Sequence, residues 1–415
     1  MSIRHCPQMY QRLITSQMNE ALADTPVVIV NGPRQSGKTT LVRQFESLGR
    51  PYRTLDNPND LAGARNDPIG FLRGTDQFII DEVQRVPELF LAIKETVDRN
   101  RAPGRFILTG SAEILNLPGI RDSLAGRMQI LPLLPLSMNE ISGGGVADFL
   151  AELFAGEFRE QPQKTPRTLL LTPVLAGGFP EMLVRSAEHR RVAWAQAYVE
   201  ALLRRDVPDI SNIEKPEALA RLVDVLAVLN GQIVNLQDMG SRAGIDHKTA
   251  VRYLGLLENL YLVRRLKPWF RNELKRLVKS SKLHFIDSGL LAGIRGLTTP
   301  RIKANPKLFG PLLETFVHAE ISKLITFAQD RHRLFHYRDH DGYEVDFVIE
   351  NRVGQVAGIE VKASATVTAQ DFRGLKRLAA GAGRDFVGGC LLYDGERVVR
   401  FGDRLAAVPL SALWG

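Results

Sequence analysis

A short stretch near the start of the chain has the residue types and the spacing of a phosphate-binding loop. Residues 27–30 are apolar and β-branched, and they lead into a segment spaced G-x-x-x-x-G-K-T that ends at Thr39. Glycines let backbone N–H groups turn toward an anion, and a helix that begins here directs its positive end at the same anion. The pattern predicts strand, phosphate loop and helix; the alternative is a chance helix start.

Each residue of this loop has an expected task. Lys38 is expected to reach the β and γ phosphates of ATP, and Thr39 to offer a hydroxyl to Mg²⁺. The other residues predicted to contact the nucleotide are Gly32, Pro33, Arg34, Gln35, Ser36, Gly37 and Thr40. The sequence therefore predicts ATP as the ligand and Mg²⁺ as its metal ion.

Two adjacent acids end another strongly apolar strand. Residues 78–80 are Phe-Ile-Ile, and Asp81 and Glu82 follow directly. The carboxyl ends of buried parallel strands open onto a ligand crevice. We therefore expect Asp81 to hold Mg²⁺ and Glu82 to activate the water that attacks the γ phosphate. The alternative is that the two acids cap a helix.

A further strand, at residues 105–110, is bounded by hydroxyl side chains at Thr109 and Ser111. These hydroxyls are placed to contact the γ phosphate or to orient the attacking water. Serine and threonine also commonly end strands and cap helices, so a purely structural role is the alternative.

Arg127 closes a helix-like stretch at residues 115–126 and directly precedes a strand at 128–133. This position suits a cation that reaches across an interface between copies of the chain. The alternative is an ion pair within its own subunit.

The first third of the chain alternates strands with helical patterns. A helix is predicted at residues 9–22, and strands are predicted at 27–30, 51–56, 77–82, 105–110 and 128–133. Such alternation predicts the α/β class, with a mostly parallel sheet covered on both faces.

These segments together resemble the core of an AAA+ ATPase. The resemblance rests on the phosphate loop at 32–39, the sequence Asp81-Glu82-Val83-Gln84, the strand at 108–111, and Leu124-Ala125-Gly126-Arg127. More narrowly, they resemble bacterial and archaeal AAA-type ATPases fused to a conserved C-terminal domain of unknown function. The resemblance implies ATP hydrolysis, a homo-oligomer, and Arg127 as an arginine finger in trans, worth roughly 10³ to 10⁵ in rate.

Composition shifts divide the chain into four predicted parts. Three consecutive glycines begin at Gly143, where the ATPase core is expected to end. The predicted parts are an ATPase core at 1–142, a linker and helical lid-like region at 143–215, a winged-helix-like domain at 216–300 and a nuclease-like domain at 301–415. The segments at 176–181 and 282–290 also resemble the same family.

A helix-turn-helix pattern follows the linker. Helices are predicted at 218–229, 236–243 and 247–260, with a tight turn at 244–246 and a wing from residue 261. The first residues of the second helix of such a pair read DNA bases, here His247, Lys248 and Arg252.

The next segment, from Lys267 to Lys282, holds six basic residues and one acid. Such a run fits contact with DNA phosphates. A solvated face, or a module that docks a protein partner, is the alternative.

The last third carries a second candidate site. Asp346 lies in a predicted strand at 344–350, and Glu360 and Lys362 lie in another at 358–362. On adjacent strands these side chains converge as in the PD-(D/E)XK nuclease fold, where two carboxylates hold Mg²⁺ and the lysine positions the water. The predicted domain is thus a C-terminal α+β PD-(D/E)XK-like domain. The alternative is a salt bridge between Glu360 and Lys362.

Other residues are candidates to complete this second site. A helix predicted at 311–324 carries Glu314 and Glu320, of which we favour Glu314, and Gln370 opens a later helix.

The 415-residue chain has a net charge of +8 and only two cysteines, Cys6 and Cys390. No disulfide framework, Cys-based zinc site, signal peptide or membrane span is expected, so we expect a cytoplasmic protein. The leading hypothesis is an ATPase that couples ATP hydrolysis to the C-terminal module. The alternatives are a DNA-binding or DNA-cleaving protein gated by ATP, a nucleotide switch without turnover, and a small-molecule kinase. Glu82 argues against a kinase, which must keep water from the γ phosphate.

Overall fold

The structure is a computed structural model that describes residues 10–47, 49–111, 124–159, 167–206, 215–278 and 280–414. Its contacts divide the chain into two compact units. The N-terminal unit contains Gln11–Leu136 together with Asn259–Tyr261. The C-terminal unit contains Ser137–Glu258 and Leu262–Gly415.

The N-terminal unit is built on a five-stranded parallel sheet. Its strands are β1 (Val27–Asn31), β2 (Tyr52–Thr54), β3 (Phe78–Asp81), β4 (Phe106–Gly110) and β5 (Met128–Pro132), in the spatial order β2-β3-β4-β1-β5. All residues of β1, β3 and β4 are buried. Strands covered on both faces need continuous apolar runs, which is the pattern these segments have. The predicted α/β core is confirmed.

Helices connect and cover these strands. They are α1 (Thr15–Asp24), α2 (Lys38–Val42), α3 (Pro58–Asn66), α4 (Pro68–Phe71) and α5 (Leu89–Arg99). In α5 the buried residues recur at helical spacing and join the core formed by the strands. The first helix begins later than predicted. The helix predicted at 115–126 falls largely on residues 112–123, which lie outside the described residues.

Most of the C-terminal unit before its large sheet is helical. Its helices are α6 (Met138–Ser142), α7 (Phe149–Ala155), α8 (Arg167–Ala176), α9 (Pro180–Leu183), α10 (Glu188–Ala201), α11 (Pro216–Val228), α12 (Leu236–Ala243), α13 (His247–Asn259), α14 (Glu273–Val278), α15 (Ser288–Ile294), α16 (Thr299–Ala304), α17 (Phe309–Phe327) and α18 (Arg373–Ala382). A π-helix at Leu202–Asp206 continues α10. Within the described ranges, none of the helices has the length and apolar character that crossing a membrane requires.

Two sheets complete the C-terminal unit. An antiparallel pair consists of β6 (Val263–Leu266) and β7 (Lys282–Phe285). A mixed sheet contains β8 (His332–Arg338), β9 (Glu344–Asn351), β10 (Val356–Lys362), β11 (Phe386–Tyr393), β12 (Val399–Arg400) and β13 (Leu405–Pro409), in the order β12-β13-β11-β10-β9-β8. Strands β8, β9 and β10 are antiparallel neighbours, whereas β11 lies parallel to β10 and to β13. The predicted combination of helices and sheet in the last part of the chain is confirmed.

A buried carboxylate joins two distant segments of this unit. Asp287 accepts hydrogen bonds from the backbone N–H groups of Gly178 at 2.7 Å and Leu290 at 2.8 Å. Gly177 has a φ of +65°, and a Cβ there would lie 2.1 Å from an Asp287 carboxylate oxygen. The segments at 176–181 and 282–290, both noted in the sequence, are therefore joined through Asp287.

Candidate nucleotide site and carboxylate cluster

The predicted phosphate loop lies between the end of β1 and the start of α2. A Cβ on Gly32 would lie 2.2 Å from the carbonyl oxygen of Leu133, so only glycine fits at this point. Gly37 has a φ of +96°, and Gln35 has a φ of +60°. Positive φ is uncommon for a residue with a side chain, and such conformations concentrate at functional sites. The loop backbone is thus held in the tight curve that anion binding requires.

The ammonium group of Lys38 lies inside this loop. Its side chain is buried, and its Nζ atom donates to the carbonyl oxygens of Gly32 at 3.1 Å and Pro33 at 2.9 Å. The positive charge of Lys38 is therefore inside the loop, where the sequence predicts contact with phosphate.

Arg12 holds the phosphate loop through hydrogen bonds to backbone carbonyl oxygens, a role that the sequence did not indicate. Its guanidinium donates to the carbonyl oxygens of Ser36 and Leu134, each at 2.7 Å. These partners are 24 and 122 residues away along the chain, so no local pattern signals the contact. Arg12 therefore links the phosphate loop to the segment that follows β5.

Three hydroxyl groups surround the carboxylate of Asp81. Thr39 donates from Oγ1 at 2.8 Å, Tyr52 donates from its phenol at 2.6 Å, and Thr109 donates from Oγ1. Burial and the neighbouring Asp81 carboxylate raise the pKa of Tyr52, which keeps the phenol protonated. The structure brings together Thr39 and Asp81 as predicted, and it adds Tyr52, which the sequence analysis missed.

Glu82 follows Asp81 with a left-handed backbone, at a φ of +57°. Its N–H donates to Thr109 Oγ1 at 3.1 Å, and its carboxylate accepts from Ser111 Oγ at 3.1 Å. Gln84 donates from Nε2 both to this carboxylate and to Ser111 Oγ, the latter at 3.0 Å. Thr109 and Ser111 therefore orient the two acids. Their predicted contact with the γ phosphate stays a prediction.

The residues of this site fit ATP with Mg²⁺. The buried hydroxyl of Ser36 has no hydrogen-bond partner among the described atoms, so the loop has an unused polar group. Thr39 and Asp81 present a hydroxyl and a carboxylate oxygen to the same point, which are oxygen ligands of the kind Mg²⁺ prefers. Of the remaining predicted contacts, Arg34 is half-buried, whereas Gln35 and Thr40 are exposed on the loop.

Arg127 lies at the amino-terminal ends of the parallel strands, whereas the phosphate loop lies at their carboxyl ends. Its carbonyl accepts from the N–H of Val27, the first residue of β1, whereas the phosphate loop follows the last residue of that strand. At 3.3 Å per residue, the length of β1 separates the two by roughly 16 Å. The guanidinium pairs with Asp98 at 2.6 Å, and this hydrogen bond lowers the pKa of Asp98. Within one chain, Arg127 does not reach the loop.

The predicted reading helix has an exposed face. Helix α12 ends at Ala243 and is followed by Gly244, whose φ of +74° turns the chain toward α13. The side chains of His247, Lys248 and Arg252 on α13 are all exposed. A cleft of about 740 Å³ beside this helix is lined in part by His247 and Lys267.

The basic run after this helix differs from the prediction. Arg276 is buried and makes two hydrogen bonds to Glu350, at 3.1 and 2.7 Å, and Lys282 is also buried. Arg271 pairs with Asp385 at 3.6 Å. The side chain of Lys275 and the whole of Lys279 lie outside the described residues. Arg276 and Lys282 therefore serve internal ion pairs and are not available to DNA phosphates.

The second predicted site forms a carboxylate cluster, defined here as Glu314, Asp346 and Glu360. Strands β9 and β10 are antiparallel, with Ile359 opposite Phe347, so Asp346 and Glu360 are neighbours. Burial, and then the charge of Asp346 and its hydrogen bond, raise the pKa of Glu360 well above its usual range. Burial and the Asp346 carboxylate likewise raise the pKa of Glu314 to about 7.

Lys362 does not join this cluster. Its ammonium pairs with Asp371 instead, at 2.5 Å, and Asp371 lies within the short helix Ala369–Phe372 that follows β10. The lysine beside the carboxylates is Lys282, which the sequence analysis placed in the basic run.

The other candidates for the second site also lie elsewhere. Glu320 pairs with Lys323 at 2.6 Å and accepts from the N–H of Met138, and Gln370 is exposed. Metal binding at Asp346 and Glu360 stays a prediction.

Three family profiles match the sequence. An AAA domain matches residues 24–142, and two domains of unknown function, DUF8612 and DUF4143, match 167–301 and 309–413. The parallel sheet, the phosphate loop and this match together define a chain with an AAA-type P-loop ATPase domain.

The chain also has full-length relatives. The uncharacterized proteins Rv2008c of Mycobacterium tuberculosis and Mb2031c of Mycobacterium bovis are each 30% identical over 419 residues, which covers 98% of this chain and 85% of each relative. The chain belongs to the same family as these two proteins. An uncharacterized protein of Haemophilus influenzae is 21% identical over 291 residues, covering 64% of this chain and 68% of that relative.

Solved structures give weaker similarities. Two RuvB variants of Thermotoga maritima have TM-scores of 0.29 and 0.28 at 18% identity, covering 61% of this chain and 85% of theirs. A signal transduction ATPase with numerous domains (STAND) from Pyrococcus horikoshii has a TM-score of 0.26 at 12% identity, covering 76% of this chain and 49% of that chain. The AAA-type part of the predicted resemblance is confirmed by the family profile. The winged-helix, DNA-binding and nuclease-like assignments stay predictions.

Proposed function

We propose that the N-terminal unit binds ATP with Mg²⁺ and hydrolyses it. The observation that carries this proposal is that three groups lie together at the carboxyl ends of the strands. These are the buried Lys38 ammonium in the loop, the hydrogen-bonded Thr39 and Asp81, and the Glu82 carboxylate held by Ser111. This arrangement suits phosphoryl transfer to water, which depends mainly on positioning and charge stabilisation.

Each group has a defined part in the proposed reaction. Lys38 turns from the loop carbonyls to the β and γ phosphate oxygens, and Thr39 and Asp81 would hold the metal ion. When bound, Mg²⁺ neutralises charge that develops on the phosphates. Glu82 accepts the proton of the attacking water, as a general base. Ser111 keeps the Glu82 carboxylate oriented until water is in place.

Phosphate release from ATP by the full chain, with no acceptor present, tests this proposal. We expect release that depends on Mg²⁺ and stops when the metal is chelated. Nucleotide binding without release would instead identify a switch. Transfer of the γ phosphate only when a small acceptor is added would identify a kinase.

We further propose that Arg127 acts in a neighbouring copy of the chain. Its distance from the phosphate loop of its own chain means that an arginine-finger role requires the nucleotide site of another copy. Arg127→Ala is expected to lower ATP turnover by about 10³-fold or more, the scale of an arginine finger. Light scattering with a non-hydrolysable ATP analogue should show the assembly that this role requires.

Mixing two inactive variants distinguishes this role from a structural one. In a mixed assembly, a Glu82→Gln subunit supplies Arg127 to the intact site of an Arg127→Ala subunit, so activity should reappear. Asp98→Asn is the matched control, because it breaks the ion pair and leaves the arginine in place. If the mixture stays inactive and Asp98→Asn lowers ATP turnover as much as Arg127→Ala does, Arg127 acts only through its ion pair with Asp98.

We also propose that the ATP cycle is coupled to the C-terminal unit and that α13 contacts DNA there, in a winged-helix-like arrangement with β6 and β7. Lys248 and Arg252 on α13 are exposed and positively charged, which supports this partner. Loss of a base-reading arginine should weaken binding and relax the sequence preference, whereas loss of a phosphate contact weakens binding to all sequences about equally.

Duplex DNA binding measured by fluorescence anisotropy at several salt concentrations tests this contact. We expect Arg252→Ala to weaken binding and to reduce the difference in affinity between duplexes of different sequence. Arg373→Ala, which removes an exposed arginine at the start of α18, is the control and should leave both unchanged. Equal losses in the two variants would indicate only a general charge effect.

A further inference from the structure

The carboxylate cluster of Glu314, Asp346 and Glu360 contains a cation supplied by the chain itself. The Nζ atom of Lys282 lies 2.9 Å from Glu314 Oε1 and 3.1 Å from Asp346 Oδ1. Only 6% of the Lys282 side chain is exposed, against 17% for Glu314 and 16% for Asp346. The ammonium therefore lies between two carboxylates that come from a helix and from a strand.

The backbone around Lys282 holds it in this position. In β7 it lies opposite Leu266 of β6, and on its other side it forms a bridge with Ile233. Gly231 donates its N–H to Leu283 at 2.7 Å, and a Cβ on Gly231 would lie 3.3 Å from Glu314 Oε2. Because backbone contacts on both sides of β7 fix its position, Lys282 is a structural part of the cluster and not a surface residue beside it.

The ammonium of Lys282 makes two ion-pair contacts in the cluster. The 2.9 Å contact with Glu314 has the length of a charge-assisted N–H···O bond, and the 3.1 Å contact with Asp346 is slightly longer. The second oxygen of Asp346 accepts the N–H of Val361 at 3.0 Å. Both oxygens of Asp346 therefore already have partners from the chain.

An imidazole also faces this cluster. His284 is fully buried, its Nε2 atom has no hydrogen-bond partner among the described atoms, and that atom lies 3.5 Å from Glu314 Oε1. An imidazole nitrogen beside carboxylates is a metal-ligand set of the kind that takes Mn²⁺ or a related ion.

We propose that Lys282 is the resident cation of this cluster and that its ammonium takes the place of a divalent metal ion. The chain then binds no divalent metal at Glu314, Asp346 and Glu360 while Lys282 is present. Without the lysine, the same oxygens and His284 form a vacant site for such an ion. The proposal is independent of ATP hydrolysis in the N-terminal unit.

Binding of Mn²⁺ alone, followed by electron paramagnetic resonance, tests this proposal. All chains carry Asp81→Asn, so that the nucleotide site does not contribute. We expect no Mn²⁺ at the cluster in this parent chain. Adding Lys282→Ala should create one site per chain, with an affinity at least about tenfold above that of the parent, and adding Asp346→Asn should remove that site again.

Lys362→Ala is the matched control, because it removes a lysine that follows Glu360 on β10 but pairs with Asp371 outside the cluster, and it should create no site. If Lys282→Ala does not fold, Lys282→Met is used instead, because methionine keeps the length of the side chain. Comparing Mn²⁺ binding by the parent chain with that by the Asp346→Asn chain requires neither of the Lys282 variants. Mn²⁺ binding in the parent that is lost with Asp346→Asn would overturn the proposal, as would a folded Lys282 variant that gains no site.

Discussion

Lys38→Ala is expected to remove measurable ATP binding and to lower turnover by at least about 10²- to 10³-fold, the scale for loss of one preorganised donor. The reason is electrostatic. The Lys38 ammonium is buried in the loop, where it meets the phosphate charge with little screening by water. Alanine supplies no positive charge at this position. Fluorescence titration with a labelled ATP analogue measures the binding, and phosphate release measures the turnover.

A second lysine in the same unit provides the control for this variant. Lys94 lies in α5 and is half-buried, so Lys94→Ala removes a similar side chain away from the loop. Circular dichroism should show the same helix content in both variants. Unchanged ATP affinity in Lys38→Ala would mean that the loop does not hold the phosphates.

Glu82→Gln is expected to keep ATP binding and to lower hydrolysis by about 10²- to 10⁴-fold, the range that general acid–base catalysis contributes. Glutamine has the same shape and still accepts the hydrogen bond from Ser111, so the site is not rearranged. An amide cannot take the proton of the attacking water. Binding and chemistry therefore separate in this variant, whereas Lys38→Ala removes both.

Glu88→Gln removes the charge of an exposed glutamate a few residues away and should hydrolyse ATP at the normal rate. Both glutamine variants should bind the labelled nucleotide with equal affinity. Normal hydrolysis in Glu82→Gln would show that another group activates the water and would leave Glu82 with a structural role.

The parts of the site that depend on neighbours in sequence were predictable. The apolar strand before Gly32 and the helix after Lys38 are local patterns, and the strand that ends at Asp81 is another. The pairing of Asp346 with Glu360 was also predictable, because a hairpin of two consecutive strands brings its neighbours together in register.

Contacts between distant segments were not predictable in the same way. Tyr52 reaches Asp81 across 29 residues, and Lys282 reaches Asp346 across 64. In the sequence, Lys282 appears within a run of basic residues that suggests an exposed face. Its partners lie on another helix and another strand, so only tertiary packing makes it an internal cation. A local charge pattern records which residues are charged and not which of them are buried.

The claim that this chain hydrolyses ATP is tested most directly by a single-turnover experiment. Full-length chain in excess over radiolabelled ATP is mixed with Mg²⁺, and the reaction is quenched at successive times. We predict that bound ATP is converted to ADP and free phosphate, and that chelation of Mg²⁺ prevents the conversion. ATP that stays bound and intact with Mg²⁺, or a γ phosphate that is recovered on the protein, would contradict the account.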